Sequence, residues 1–209
     1  MKSTAAGDLR GIAIDAPLII KNVSGQRACE TGIGRQYGSR HASCHTSNTK
    51  LYPSARSVYL SEKLNDSGFQ HLIGSKWQIE CYPHPAIIEI FNLPERLRYK
   101  KGNVAAKKAG QQELARLLLS LSTSEILKLV VSEDVAQVLD ESHISSLAGQ
   151  RLKSNEDALD AIVCLYIAGL YEMKIDGGLF GDHQAGYIWV PHHIAQQADN
   201  QPMCFQQGA

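Results

Sequence analysis

The run Gly11-Ile12-Ala13-Ile14-Asp15-Ala16-Pro17-Leu18 constrains this chain more than any other stretch. Its apolar part is too short for a helix, and Pro17, lacking an N–H, cannot continue a central ladder. The run therefore reads as a buried strand whose carboxyl end carries Asp15. Trp77 to Pro83 alternates like a strand and also closes on proline, and Gly186 to Pro191 is a third short strand. Helical patterns separate them: Leu60 to Gly68, His84 to Phe91, Ala105 to Leu121, Ser124 to Val130 and Asp134 to Leu139. The strongest helix spans Ser154 to Met173, where Leu159, Ile162, Val163, Tyr166, Ile167 and Leu170 recur at helical spacing. Gly177-Gly178 ends that region. Strands alternating with helices specify the α/β class.

A chain of 209 residues, 44% hydrophobic and 20% charged, suits one globular domain over residues 1–209, with a frayed polar tail at 195–209. Lys plus Arg is 21 and Asp plus Glu is 21, a balance that neither proposes nor excludes a nucleic-acid partner. Residues 1–8 carry no apolar leader and no apolar run is long enough to span a bilayer, so the expectation is no membrane and a cytoplasmic location. Five scattered cysteines then read as reduced thiols. Residues 22–58 are rich in Gly, Ser, Thr, Asn and His, with Arg27, Arg35, Arg40 and Arg56 among them. An excursion this long inside a compact domain is usually functional.

Three acids stand out. Asp157 and Asp160 are neighbours on one helix surface, because successive residues advance by about 100°. Two adjacent carboxylates repel and persist best beside a divalent cation. The alternative is plain helix chemistry: acids suit a first turn, and Ser154 with Asp157 has the form of a capping box. Asp15 sits where α/β proteins keep their sites, at the carboxyl edge of the sheet, or else serves as a turn-former before Pro17. Glu80, inside an apolar strand, either faces solvent or faces inward and needs a partner or a metal. His41-x-x-Cys44-His45 and Cys81-x-x-His84 lack the paired framing of a zinc site. Gly32-Ile33-Gly34 is too short for a dinucleotide loop, and there is no Gly-x-Ser-x-Gly elbow. The basic residues from Arg96 to Lys108 are either a solvated face or a phosphate contact.

Taken in order, Ile12 to Leu18, Arg27-Ala28-Cys29-Glu30, Ile79-Glu80-Cys81-Tyr82-Pro83-His84-Pro85, Arg98-Tyr99-Lys100-Lys101, Asp157-Ala158-Leu159-Asp160-Ala161 and Gly186 to Pro191 resemble the family catalogued as domain of unknown function 429. Its members are regarded as nucleases of the RNase H-like fold, and the acidic helix also resembles that of RuvC-type junction resolvases. The resemblance implies two-metal phosphodiester hydrolysis, with Mg²⁺ or Mn²⁺ ions about 4 Å apart. Asp15, Asp157 and Asp160 would hold metal, and Glu80 would be a further catalytic candidate. Arg27, Arg35, Arg40, Lys100 and Lys101 would contact DNA or RNA phosphates. The alternative is a catalytically inert module that binds nucleic acid or protein on the same fold. The family opens with a strand bearing its first acid, ahead of the segment matched by Asp15, whereas Ser3 to Arg10 is polar. The expectation is an RNase H-like sheet without its N-terminal strands, and association of two copies through the open edge at residues 11–18.

Overall fold

A computed structural model describes residues 9–192; the tail expected at 195–209 lies outside them. The α/β class is borne out. β1 (Gly11–Ile14), β2 (Gln70–His71) and β3 (Trp77–Glu80) form a parallel sheet in the order β1-β3-β2, with Ile14 opposite Glu80. β4 (Gly177–Asp182) and β5 (Gly186–Pro191) form an antiparallel hairpin, joined to the parallel sheet by a bridge between Cys81 and Trp189. The helices are α1 (Ala28–Tyr37), α2 (Arg56–Asp66), α3 (Pro83–Ile90), α4 (Val104–Ser120), α5 (Glu133–Ala136), α6 (Glu141–Ser146) and α7 (Gly149–Glu172). None of the described helices is long and apolar enough to cross a membrane.

β3 and β5 are buried along their whole length, as strands covered on both faces must be. Alternation along β5 divides the interior. Tyr187 and Trp189 join the main core with Ile79, Leu114, Leu159, Val163 and Ile167, while Ile188 and Val190 join a second cluster around Cys29, Ile33 and Tyr37 of α1. Ile87 and Ile88 of α3 split between the same two clusters. α7 packs on β1, α3 and α4, so it covers the parallel sheet beside the carboxyl end of β1.

Three expectations are corrected. α7 begins at Gly149, not Ser154, so Ser154 is interior and caps nothing. The stripe extends back through buried Leu152, and Asn155 donates to Gln111 of α4 at 3.1 Å, which ties the extra turn to its neighbour. Ser124 to Val130 is not a helix. Its backbone is held by Leu129 N–H on Leu121 C=O and by Tyr166 Oη donating to Leu127 C=O at 2.9 Å. A Cβ at Gly169 would lie 2.6 Å from Leu127 Cδ2, so the bare glycine admits this segment against α7. Gly177-Gly178 opens β4 instead of ending the region; a Cβ on Gly177 would meet the Trp189 ring at 2.5 Å.

Gly110 of α4 governs the path of the loop that carries Lys100. A Cβ there would stand 2.5 Å from Arg98 O and 2.6 Å from Tyr99 Cα, so only glycine lets the chain before Lys100 lie against the helix. Gly110→Ala is expected to cost about 1–3 kcal/mol through overpacking, measured as a lower urea midpoint. An unchanged midpoint would show that this approach is not a constraint.

Candidate functional site

Asp15 follows β1 at the carboxyl end of the parallel strands, and Asp160 faces it from α7. Lys100, on the loop between α3 and α4, joins them. Its ammonium lies 2.7 Å from Asp160 Oδ2 and 3.7 Å from Asp15 Oδ2. The buried Tyr99 hydroxyl donates to Asp160 Oδ1 at 2.6 Å, leaving Oδ2 for the cation. Burial pushes Asp15 up to about 6, the charge of Asp160 adds to this, and Lys100 opposes it. Burial and the Asp160 carboxylate likewise hold the Tyr99 hydroxyl protonated. The His84 ring packs edge-on against Tyr99, and burial together with the positive charge of Lys100 lowers it to about 3, so it is neutral.

Asp157 lies one turn before Asp160 and is exposed. Lys153 Nζ contacts it at 2.5 Å and Glu156 at 2.8 Å. Glu156, Asp157 and Asp160 can each place one ligand atom within 4.8 Å of one another, and among the described residues no other group of three acids, histidines or cysteines does so. Glu156 is a donor that the spacing of the two aspartates does not single out, although it falls one turn before Asp160 on the same face. The thin histidine–cysteine signals mark no such cluster: Cys81 Sγ lies 3.6 Å from Cys164 Sγ, and His41, Cys44 and His45 form no group of that kind. The acids offer only hard oxygen donors, a set that suits Mg²⁺ or Mn²⁺. Lys100 already places one positive charge between Asp160 and Asp15, the latter lying outside that group of three.

Glu80 faces inward and its partner is an arginine. Its carboxylate accepts from Arg27 Nη1 at 2.8 Å, Arg27 Nη2 at 2.6 Å and the Leu18 N–H at 2.9 Å. Arg27 Nε also donates to Glu30 at 2.9 Å, and Glu30 accepts from the Ser47 N–H at 3.1 Å. Arg27 is thus buried and fully engaged. Arg40 bonds Glu89 at 3.0 Å and two nearby carbonyls. Arg35 is exposed in the last turn of α1, and Lys101 is exposed beside Lys100.

Asp15 stands between two hollows. A groove of about 610 Å³ runs between β1 and α7 and contains Asp157 and Asp160. On the other side of Asp15 lies a pocket of about 440 Å³ walled by the excursion, with Tyr52 and Arg56 at its rim and Glu80 in its floor. The polarity of residues 22–58 was the only sequence signal for this pocket.

The family described as protein of unknown function (DUF429) matches residues 3–172, a span holding all of these acids. No curated protein and no solved structure matches the chain. Removing one partner of a buried ion pair strands the other charge. Arg27→Ala should therefore cost about 3–5 kcal/mol, read by denaturant unfolding, and Arg27→Met with Glu80→Leu should recover part of it, Glu30 keeping only its backbone donors. Equal losses in the single and double variants would contradict the pairing.

Proposed function

The chain belongs to the DUF429 family, and we propose that it is a divalent-cation-dependent nuclease of RNase H-like fold. One observation carries the reading: Asp15 from the end of β1 and Asp160 from α7 share a single ammonium, that of Lys100. Two carboxylates brought together from separate elements, Asp160 mostly covered and Asp15 partly open to solvent, are best neutralised by a cation between them. Lys100 is a flexible, partly exposed side chain that can leave when a better-charged cation arrives.

In this reading Asp15 and Asp160, with Asp157 beside them, would hold Mg²⁺ or Mn²⁺. A bound divalent ion supplies an activated water and neutralises charge on a phosphodiester. The protein's own part is positional. Tyr99 fixes the rotation of the Asp160 carboxyl by bonding Oδ1. Glu80, by accepting from the Leu18 N–H, holds the turn that aims Asp15 and is a positioning residue. Lys100 and Lys101 then offer positive charge to the phosphates of DNA or RNA. Reduced Cys29, Cys44, Cys81 and Cys164 are in keeping with a cytoplasmic setting.

A second reading has one observation in its favour: Lys100 alone already balances the acid pair, as it would in an inert nucleic-acid- or protein-binding module. The two separate cleanly. Labelled single- and double-stranded DNA and RNA are incubated with Mg²⁺, with Mn²⁺ and with chelator. The nuclease reading expects metal-dependent cleavage that falls by more than about 100-fold in Asp160→Asn, beyond the loss typical of outer-shell ligand partners. Absence of cleavage with every substrate, alongside binding that survives Asp160→Asn and chelator, would establish the inert module instead.

A further inference from the structure

The pocket on the far side of Asp15 has no role in the acid cluster, yet it opens beside it. We propose that it receives one unpaired nucleobase of a single-stranded nucleic acid, whose adjoining phosphodiester then lies at Asp15. This rests on the nuclease reading for the chemistry, though not for the binding. At about 440 Å³ the pocket falls within the range of small-ligand sites, about 300–1,000 Å³. Pro17, Ile20 and Tyr82 give it apolar and aromatic walls, and Tyr52, half-exposed at the rim, presents a ring on which a base can stack. Its floor is made of Arg27, Glu30 and Glu80, which satisfy one another and hold two carboxylates for one guanidinium. With its guanidinium already shared between two carboxylates, such a floor offers no free positive charge to a phosphate and leaves the space to a neutral, planar group. Phosphate is left at the mouth, where exposed Arg56 supplies positive charge.

The position of Asp15 carries the substrate class. It lines both the pocket and the groove that contains Asp157 and Asp160. A base seated in the first therefore directs the backbone into the second. A paired base must leave its stack before it can enter, which disfavours intact duplex.

The test is equilibrium binding by fluorescence anisotropy, in chelator so that nothing is cleaved. The probes are fluorescein-labelled DNA and RNA single strands, the same strands with abasic residues throughout, and the matching duplexes. Intact single strands should bind more tightly than duplex or abasic strands. Tyr52→Ala should weaken single-strand binding roughly 5- to 100-fold, and Ala55→Trp, which fills the pocket, should do the same. Equal binding of intact and abasic strands, or unchanged affinity in both variants, would overturn the proposal. Cleavage with a KM insensitive to Tyr52→Ala refutes the pocket alone. Base-dependent binding without cleavage supports the pocket and refutes only the nuclease reading.

Discussion

The buried ion network of Arg27, Glu80 and Glu30 is the constraint on which the rest of the structure depends. Burying a guanidinium and two carboxylates is costly unless nearly every donor and acceptor is used. Here the network recruits backbone as well: Glu80 accepts from the Leu18 N–H, Arg27 donates to the Ile19 carbonyl at 3.1 Å, and Glu30 accepts from Arg27 and Ser47 N–H groups. The end of β3, the chain leaving β1, the start of α1 and the polar excursion are thereby tied to one point. The direction of Asp15 and the near wall of the pocket both depend on that knot.

On the other side of Asp15 the arrangement is electrostatic and adjustable. The acids of β1 and α7 would repel if Lys100 were absent, and Lys100 is placed by a loop that lies against α4 at Gly110. Tyr99, next in sequence, is fully buried, whereas the lysine stem is partly exposed. A buried hydroxyl therefore orients the carboxyl while a partly exposed ammonium neutralises it. This division makes the place suited to exchange of one cation for another.

The strand acid and the helix acid were legible because each obeys a local rule. Asp15 ends an apolar run before a proline, and Asp160 borders the apolar stripe of α7. Inward-facing Glu80 was also open to inference, since it interrupts a buried strand. Its partner was not, because Arg27 lies 53 residues away and looks like any other basic residue of the excursion. Lys100, read as a phosphate contact, gave no sign that it joins the two acids. The start of α7 and the non-helical path after Ser124 depend on contacts with α4 and with Gly169, which no local propensity encodes. What sequence could not convey was which charges face one another across the fold.

The central claim is that Asp15 and Asp160, which Lys100 bridges, form a seat for a divalent cation. Anomalous scattering from crystals of the protein grown with Mn²⁺ tests it most directly. The account predicts a manganese peak bonded to Asp15 and Asp160, with the Lys100 side chain displaced from between them. A peak confined to Glu156 and Asp157, or none with Lys100 still bridging the acids, would contradict it.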